Sequence, residues 1–428
     1  MNRDIETQDY ILKQASESNV KFIRLWFTDI NGGLKGFAIN VEDLKDCMTN
    51  GVIFDGGAIE GLSREGENDT LAIPDLNTWQ ILPWRPNENA VARFICDLKS
   101  IDGRNLMVDS RQVLKSKLIE ANKLGYKFYI GPEIEYYYLN SEKNITSGDD
   151  AGYFDQTSAD SDGANLRREC VLILEQMGIP VRSSHHEVSP GQHEIDLRHT
   201  DALTMADSIM TTRLVVKEAA HRLGGFATFM PRPFDKLNGS GLHLHLSLYK
   251  NEKNIFSVKN EKTISKTGES FMAGLIENAK EMTLITNQWA NSYKRLLPNL
   301  EAPVAGYIDY QNIEDIVRVP PVFNNDDEKY RVEFRLPDAA CNPYLAFATI
   351  LNAGILGIKN KYKITKKIKS NIPNSLNEAI KANENSNFLQ ESIGTEAYNS
   401  YIDNKKKEWM GYNSLISEDE RNFYMKFL

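Results

Sequence analysis

The sequence lacks long hydrophobic runs, which excludes a large class of proteins. No apolar stretch in the 428 residues reaches the roughly 18 residues that a membrane-spanning helix needs. The first ten residues, MNRDIETQDY, are polar and acidic, so we expect no secretory signal peptide. The sequence therefore predicts a cytoplasmic protein with no membrane partner.

Cysteine is scarce, and positive charge is outweighed by negative charge. The four cysteines lie far apart and form no Cys-x-x-Cys motif, which argues against a disulfide framework or a zinc knuckle. Such a pattern is typical of a reducing compartment. The chain has 50 Lys and Arg but 59 Asp and Glu, so its net charge is −9. We therefore expect no nucleic-acid partner.

The length exceeds what one compact core usually holds, so it predicts at least two domains. Residues 22–39, FIRLWFTDINGGLKGFAI, predict a β-hairpin with a Gly-Gly turn. From Ser110 onward, apolar residues recur at helical spacing, with Ser110 as the candidate N-cap. We therefore predict a boundary near Val108, with an N-terminal domain of residues 1–107 and a second domain of residues 108–428.

Histidine is absent outside one part of the chain, because all seven histidines lie between His185 and His245. Before that part, YIGPEIEYYYL (129–139) reads as a strand that carries Glu133 and Glu135. Residues two apart in a strand point to the same face, so these carboxylates lie side by side. They repel each other, and burying them unpaired is costly. The sequence therefore predicts positively charged groups opposite them.

Three further stretches place acids, histidines or arginines beside Gly or Pro: SSHHEVSPGQHEIDL, NGSGLHLHLSL and YRVEFRLPD. In the first, Glu187 and Glu194 flank a Pro-Gly turn that could bring both acids together. In the other two, polar side chains alternate along one strand face. They are His243, His245 and Ser247 in one stretch, and Arg331, Glu333 and Arg335 in the other.

Several strands thus direct Glu or His to a face that apolar residues would normally occupy. Carboxylates with an occasional imidazole suit Mg²⁺ or Mn²⁺, and so many carboxylates indicate two or more ions. The nearby arginines indicate anionic substrates such as phosphates or carboxylates. Each stretch alone also has a simpler interpretation, as a solvated strand face or a surface ion-pair ladder. The residues by themselves leave both interpretations open.

A series of segments runs along nearly the whole chain: FDGGAIEG, DTLAIPDLNTW, GPEIEYYYL, GYFDQ, HHEVSPGQHEIDLRHTDAL, ATFMPRP, NGSGLHLHLSL, NSYKRLLPNLEAPV and VEFRLPDAACNPYLAFA. In content and order they resemble the type I glutamine synthetase family, in its shorter variety. The resemblance implies an α+β fold, with an N-terminal β-grasp domain and a catalytic α/β domain containing an antiparallel sheet. It also implies a two-ring homododecamer in which adjacent subunits share each active site.

The family's reaction accounts for the paired carboxylates. ATP phosphorylates the γ-carboxylate of glutamate, and ammonia displaces phosphate from the acyl phosphate. The resemblance thus implies ATP as co-substrate, Mg²⁺ or Mn²⁺ at two or more positions, and glutamate with ammonia or a small amine as partners. The implied ligands are Glu135, Glu187 and Glu194 for one ion, and Glu133, His243 and Glu333 for the other.

The other roles implied by the resemblance concern catalysis and substrate binding. Asp55 matches the aspartate that enters a neighbouring subunit's site and deprotonates ammonium, with Tyr153 and Glu187 beside it. Glu301 matches a flap glutamate that closes over the acyl phosphate, and Arg318 matches a phosphate-binding arginine. The remaining matches are Gly239, Arg295 and Arg335 for glutamate, and His245, Ser247 and Arg331 for the nucleotide.

Two departures from the family concern the amine and the phosphoryl group. The family usually reads FDGSS where this chain reads FDGGA, so Ala58 replaces a serine that lines the ammonium pocket and makes that wall apolar. The family usually reads NRSA where this chain reads NIED (312–315). Ile313 thus replaces an arginine that helps to stabilise the transferring phosphoryl group. Glu314 and Asp315 could bind a cationic amine or could be solvated loop residues.

Three functions remain compatible with the sequence. Ala58 and NIED favour an ATP-dependent ligase that couples glutamate to an amine other than ammonia, giving a γ-glutamyl amide. The alternative is an ordinary glutamine synthetase, a glutamate–ammonia ligase in which other residues compensate for these changes. A non-catalytic binding or regulatory relative is disfavoured, because it would have no reason to keep a full set of costly metal ligands.

Overall fold

The computed structural model of the protein describes most of the chain. The described residues are 2–61, 69–141, 144–145, 152–155, 162–258, 264–298, 301–303, 305–309, 315–322, 330–364, 372–384 and 386–428. None of the helices in these ranges combines the length and the hydrophobicity that a membrane span requires. The ranges contain sheets and packed helices, so the predicted α+β class is confirmed.

The N-terminal part of the chain forms one sheet with helices beside it. Its elements are α1 (Asn2–Glu17), β1 (Val20–Thr28), β2 (Leu34–Asn40), α2 (Leu44–Asn50), β3 (Val52–Asp55), β4 (Asp69–Ile81) and β5 (Ala90–Ser100). The sheet has the order β2-β1-β5-β4-β3, and β1 pairs antiparallel with β2 and parallel with β5. The predicted hairpin is therefore confirmed, and the mixed sheet agrees with the expected β-grasp domain.

The rest of the chain contains a second, larger sheet. Its strands are β6 (Tyr126–Ser141), β7 (Asn144–Ile145), β8 (Val181–His186), β9 (Gln192–Leu197), β10 (Thr200–Asp201), β11 (Phe226–Thr228), β12 (Leu242–Lys250), β13 (Lys253–Asn254), β14 (Ala305–Asp309), β15 (Asp315–Arg318) and β16 (Val332–Phe334). The main order is β14-β15-β16-β12-β6-β9-β8. All pairs except β14–β15 are antiparallel in the described residues, as the resemblance implies.

The helices of this second part are α3 (Ser110–Lys123), α4 (Asp162–Gln176), α5 (Ala202–Arg222), α6 (Lys266–Glu277), α7 (Ala279–Thr286), α8 (Ser292–Arg295), α9 (Pro343–Asn360), α10 (Leu376–Glu384), α11 (Phe388–Ile393), α12 (Thr395–Asn413) and α13 (Glu418–Tyr424). Among them, α3, α4, α5 and α6 pack against strands of the second sheet. The N-cap predicted at Ser110 is wrong by one residue. Asp109 has extended dihedrals and accepts the Arg111 N–H, whereas the Ser110 hydroxyl donates to the Asp29 carbonyl.

The alternation of side chains along β12 separates the core from the polar face of the sheet. Leu242, Leu244, Leu246 and Leu248 are fully buried in the main hydrophobic core. Since side chains alternate along a strand, His243, His245 and Ser247 must lie on the opposite face. This leucine pattern therefore fixes which face of the sheet can bind polar ligands.

A buried arginine joins the N-terminal sheet to the helices of the second part. Arg111, at the start of α3, donates to Asp75 of β4 at 2.8 Å and to Asp97 of β5 at 2.6 Å. It also forms a bidentate pair with Asp207 of α5, at 2.9 and 3.0 Å. The Tyr344 hydroxyl donates to the same Asp207. The contact between the two parts of the chain thus includes a hydrogen-bonded charge cluster in which one arginine pairs with three aspartates.

Candidate active site

Two histidines face Glu133 across the pairing of β6 with β12. The register places His243 directly opposite Glu133. The His243 Nδ1 atom lies 3.3 Å from one Glu133 oxygen, and the His245 Nε2 atom lies 2.6 Å from the other. Burial alone would raise the pKa of Glu133, but the hydrogen bonds to His243 and His245 hold it below its usual value. The side chains that contact Glu133 from the neighbouring strand are therefore these two imidazoles.

Glu135 lies on the same face and is held by different partners. Its Oε2 atom accepts the Gly241 N–H at 2.9 Å and the Gln192 Nε2–H at 3.0 Å. Its Oε1 atom lies 3.7 Å from His243 Nε2. Burial raises the pKa of Glu135 and so disfavours its negative charge, an effect that a nearby cation would reverse.

The hairpin of β8 and β9 brings the next acids to the site, as the Pro-Gly turn predicts. The register pairs His185 with Glu194, and Glu194 with Glu135 across β6. The His185 Nε2 atom lies 2.8 Å from Glu187 and 3.8 Å from Glu194. Burial, together with the charges of Glu133 and other nearby acids, raises the pKa of Glu194 well above its ordinary value. This hairpin therefore adds negative charge to a face that is already acidic.

The donor set fits divalent cations. Two groups of side chains each bring their ligand atoms within 4.8 Å of one another. One group is Glu133, Glu194 and His243, and the other is His185, Glu187 and Glu194. Within the described part of the chain, the Nε2 atom of His243 is buried without a hydrogen-bond partner. Because its Nδ1 faces Glu133, this Nε2 can offer a lone pair to a metal. Hard carboxylate oxygens with such an imidazole suit Mg²⁺ or Mn²⁺.

Glu333 differs from the other predicted ligands because arginines surround it. It is completely buried on β16, and its two oxygens accept from Arg318 at 2.7 Å and from Arg335 at 2.6 Å. Burial alone would raise its pKa, but the charge of Arg335 leads a set of nearby cations that lower it. In this structure, Glu194 rather than Glu333 lies with Glu133 and His243.

One cavity of about 600 Å³ gathers most of the predicted residues. It is lined by the predicted ligands other than Glu333, and by Tyr153, Gly239, Arg295, Glu301, Arg318 and Arg335. Arg295 is almost fully buried and donates to the carbonyls of Leu336 and Arg335. A Cβ atom on Gly239 would lie 2.4 Å from the Pro231 carbonyl oxygen and 2.7 Å from the Arg295 side chain. Only glycine therefore fits at this position.

A second cavity of about 520 Å³ adjoins the first through Glu133, which lines both. It contains the three predicted nucleotide contacts, His245, Ser247 and Arg331. Arg331 Nε donates to His245 Nδ1 at 3.1 Å, so the proton of a neutral His245 lies on Nε2, which faces Glu133. The two cavities thus meet at Glu133, and the hydrogen bond from Arg331 fixes the orientation of His245, which contacts Glu133.

Glu301 closes one side of the first cavity in a strained conformation. Its φ of +53° lies in the left-handed region, which is uncommon for a residue with a side chain. The Asn238 amide donates to its carboxylate at 2.7 Å. Burial and the charge of Glu187 raise the pKa of Glu301. An ammonium group between Glu187 and Glu301 would remove this repulsion.

Some predicted residues lie elsewhere or outside the described residues. Asp55 is exposed at the end of β3, accepts the Gly57 N–H at 2.8 Å, and lines neither cavity. The side chain of Ala58 and residues 312–314 lie outside the described residues. Asp315 is buried at the start of β15, so it is not a solvated loop residue.

The sequence interpretation assigned no role to Gln192, His185 or Asn238, which all line the first cavity. Gln192 donates to Glu135 and to the Gly239 carbonyl, His185 contacts Glu187, and Asn238 holds Glu301. All three lie inside segments already singled out, HHEVSPGQHEI and NGSGLHLH. The signal in the sequence that could have identified these three residues is their position next to predicted ligands.

A β-grasp domain joined to an antiparallel sheet with adjoining acidic and basic cavities fits the class of ATP-dependent ligases. Comparisons with known proteins agree. Residues 19–101 match the family model for the glutamine synthetase beta-Grasp domain, and residues 107–424 match that for the glutamine synthetase catalytic domain. The chain therefore belongs to the glutamine synthetase family, and it is an ATP-dependent ligase.

Individual relatives extend over the whole chain. Glutamine synthetase from Mycobacterium tuberculosis H37Rv is 41% identical over 441 residues, covering 98% of this chain and 99% of that protein. The Staphylococcus aureus enzyme is 41% identical over 442 residues and covers 98% of both. Among solved structures, a GmaS/ADP complex has a TM-score of 0.89 at 29% identity, covering 97% of this chain and 99% of that one. Plasmodium falciparum glutamine synthetase has a TM-score of 0.89 at 25% identity and covers 98% of both chains.

Proposed function

We propose that this protein uses ATP to activate the γ-carboxylate of glutamate as an acyl phosphate, which an amine then attacks to give a γ-glutamyl amide and phosphate. The observation that carries the proposal is the meeting of two cavities at Glu133. One cavity has a basic lining suited to a nucleotide, and the other combines acids with arginines suited to glutamate and an amine. Such adjacency is what transfer of a phosphoryl group between two substrates requires.

The second cavity would bind ATP, which is the phosphoryl donor. Arg331, His245 and Ser247 would bind ATP there, and Arg318 would contact its phosphates. The metal ligands would be Glu135, Glu187, Glu194, Glu133, His243 and Glu333. When bound, Mg²⁺ or Mn²⁺ would neutralise charge on the phosphoryl group. Burial, with a contribution from neighbouring acids, raises the pKa of Glu135 and of Glu194, so a cation would favour the charged form of both.

The first cavity would hold glutamate and the amine. Arg295 and Arg335 supply positive charge for the carboxylates of glutamate, and Gly239 lacks the Cβ atom that would collide with the Arg295 side chain. The amine would bind as a cation near Glu187 and Tyr153, with Glu301 excluding water from the acyl phosphate. Asp55 would act as the general base from a neighbouring subunit, which is consistent with its absence from both cavities of its own chain. A dodecamer would provide that neighbour.

We favour an amine other than ammonia, because Ala58 removes a hydroxyl from the pocket where the family binds ammonium. Ammonia is the second candidate, and the 41% identity to glutamine synthetases favours it. Identity averages over the whole chain, whereas few positions select the amine, so we give Ala58 more weight. An apolar wall that accepts one or two methylene groups would favour an alkylamine by about ten- to thirtyfold in kcat/KM.

One experiment tests both parts of the proposal. Phosphate release is measured with ATP, Mg²⁺ and glutamate against ammonia, methylamine, ethanolamine, diamines and aromatic amines, for the wild type and Ala58→Ser. We expect amide formation with an alkylamine in preference to ammonia, and a shift toward ammonia in Ala58→Ser. A wide preference for ammonia that Ala58→Ser leaves unchanged would identify a glutamine synthetase. No amide with any amine would refute the proposal.

A further inference from the structure

A lysine on α12 is almost completely buried. The side chain of Lys405 is only 1% exposed, and its Nζ atom donates to Glu408, three residues further along the helix, at 2.8 Å. Burial lowers the pKa of Lys405, and the charge of Glu408 opposes this effect. Replacing a buried ion pair by apolar side chains of similar volume often costs no stability, so such pairs are better explained by the arrangement that they specify.

This ion pair contacts the segment that leads into α8. The Lys405 Nζ atom lies 4.2 Å from the centroid of the Trp289 ring, within the range of a cation–π interaction. The Glu408 Oε1 atom accepts the Ala290 N–H at 3.0 Å. Two consecutive residues are thus held by two side chains of α12, one through an aromatic face and one through the backbone.

Trp289 and Ala290 lie just before α8, the single turn that ends in Arg295. The Trp289 backbone N–H donates to the hydroxyl of Ser292, the first residue of α8, at 3.1 Å. Its indole N–H donates at 3.2 Å to the carbonyl of Ala340, in the loop between β16 and α9. A single helical turn is not stable by itself, so its position depends on such contacts. The placement of Trp289 therefore helps to determine where the Arg295 backbone lies.

We propose that the pair of Lys405 and Glu408 positions Arg295 for the binding of glutamate. This inference rests on the proposed function, because it assumes that Arg295 binds a carboxylate of glutamate. The pair lines neither cavity, so it acts through Trp289 and Ala290 and not on the substrate itself. Both members are positioning residues, since a small displacement of a substrate-binding arginine is enough to weaken its contact.

The sharpest comparison is between two substitutions of Glu408. Glu408→Gln and Glu408→Leu both remove the charge that pairs with Lys405. Only Glu408→Gln keeps a side-chain oxygen that can accept the Ala290 N–H. The unpaired lysine is therefore common to both variants, and a difference between them reports the link to Ala290.

A second comparison uses two consecutive lysines. Lys405→Met removes the buried ammonium group and keeps the apolar stem. Lys406→Met is the matched control, because the Lys406 side chain is 42% exposed on the same helix and pairs with Glu384 at 2.7 Å. Each variant is assayed for kcat and for the KM of glutamate and of ATP, with Mg²⁺ and the amine that the wild type uses best. Calorimetric titration with glutamate, in the presence of ADP and Mg²⁺, measures binding without turnover.

We expect Lys405→Met and Glu408→Leu to raise the KM and the Kd for glutamate about tenfold, while the KM for ATP changes by less than about twofold. Glu408→Gln and Lys406→Met should keep the wild-type values for glutamate. A purely structural role would instead lower the fraction of folded protein, which reduces the apparent kcat and leaves the KM for glutamate unchanged.

The contrary outcomes separate this inference from the proposed function. Equal KM values for glutamate in Glu408→Leu and Glu408→Gln would overturn the positioning role, as would equal changes in the KM of glutamate and ATP in Lys405→Met. If Lys405→Met does not fold, the two Glu408 variants still decide. In these cases the wild type binds glutamate, so the proposed function survives. If the wild type neither binds glutamate nor releases phosphate in its presence, both proposals are overturned.

Discussion

Gln192 connects the two functional parts of the first cavity. Its side-chain amide donates to Glu135 at 3.0 Å and to the Gly239 carbonyl at 3.2 Å, so both of its N–H groups are engaged. Glu135 is a proposed metal ligand, and Gly239 belongs to the proposed glutamate loop. A fully buried amide in this position fixes the carboxylate and the loop relative to each other.

We predict that Gln192→Leu, which keeps the volume but removes both donors, weakens divalent-ion binding by about 10- to 100-fold and raises the KM for glutamate. The Gly239 carbonyl also loses its donor, which explains the effect on the substrate. Calorimetric titration of Mn²⁺ into the ligand-free protein and steady-state kinetics measure the two effects. Gln112→Leu is the control, because Gln112 is a buried glutamine on α3 that donates to Ser116 and lines neither cavity. Unchanged Mn²⁺ affinity in Gln192→Leu would remove Gln192 from this role.

At the scale of elements, α6 and α9 touch through their backbones. A Cβ atom on Gly274 of α6 would lie 2.2 Å from the Ala353 carbonyl oxygen, and one on Gly357 of α9 would lie 2.1 Å from the Ser270 carbonyl oxygen. Both contacts involve backbone atoms, so a flexible side chain cannot move aside to relieve them. The two helices therefore need glycine where they cross.

We predict that Gly357→Ala destabilises the protein by about 1–3 kcal/mol, because the added methyl group forces the helices apart. Gly411→Ala is the matched control, since nothing lies within 4 Å of a Cβ atom at Gly411 on α12. Alanine is the better helix former, so the control should gain up to about 1 kcal/mol. Denaturant midpoints of the two variants should move in opposite directions. Equal shifts would show that helix propensity, not the crossing, dominates.

At the scale of the whole molecule, the charge cluster around Arg111 holds the N-terminal sheet against α5. We predict that Arg111→Met costs about 3–5 kcal/mol, because it removes the paired cation from the buried Asp207 and the partly buried Asp75, whereas Asp97 keeps its pair with Lys115. The exposed pair of Arg104 with Asp102 gives the control, and Arg104→Met should change stability little. Chemical denaturation at pH 7 measures both. A small loss of stability in Arg111→Met would mean that water or rearranged side chains replace the interactions of Arg111 with the three aspartates.

The same cluster predicts a pH dependence. Burial alone would raise the pKa of Asp75, but Arg111 lowers it below the ordinary value of 3.8. A lowered carboxyl pKa contributes stability that is present above about pH 4 and is lost as the pH falls through the folded-state value. Arg111→Met lacks this contribution, and its uncompensated acids are relieved by protonation. The stability difference between wild type and Arg111→Met should therefore shrink as the pH is lowered toward 3, and a constant difference would contradict this assignment.

The proposed assembly makes a prediction about mixed oligomers. If Asp55 serves a neighbouring subunit's cavity, Asp55→Ala and Glu333→Ala should each be inactive alone. Subunits mixed after dissociation should regain part of the activity, because some interfaces then combine an intact Asp55 with an intact Glu333. Phosphate release before and after mixing measures this. An active monomer in sedimentation would contradict the shared site.

Much of the site follows from local patterns in the sequence. The two-residue period of a strand places Glu133 with Glu135, and it separates His243 and His245 from the leucines of β12. The Pro-Gly turn predicts the β8–β9 hairpin. These predictions depend on neighbours along the chain, so a single sequence is sufficient to make them.

Other features depend on contacts between distant residues, and only the tertiary structure decided them. Sheet register places Glu194 with Glu133 and His243, and it brings Arg318 of β15 to Glu333 of β16. Strand periodicity states which face a side chain occupies, but not which side chains meet it from other strands. The partners of Gln192 and Arg111 likewise lie tens of residues away along the chain. The sequence by itself therefore determined the chemistry available on each strand, and the packing of strands and helices decided which groups act together.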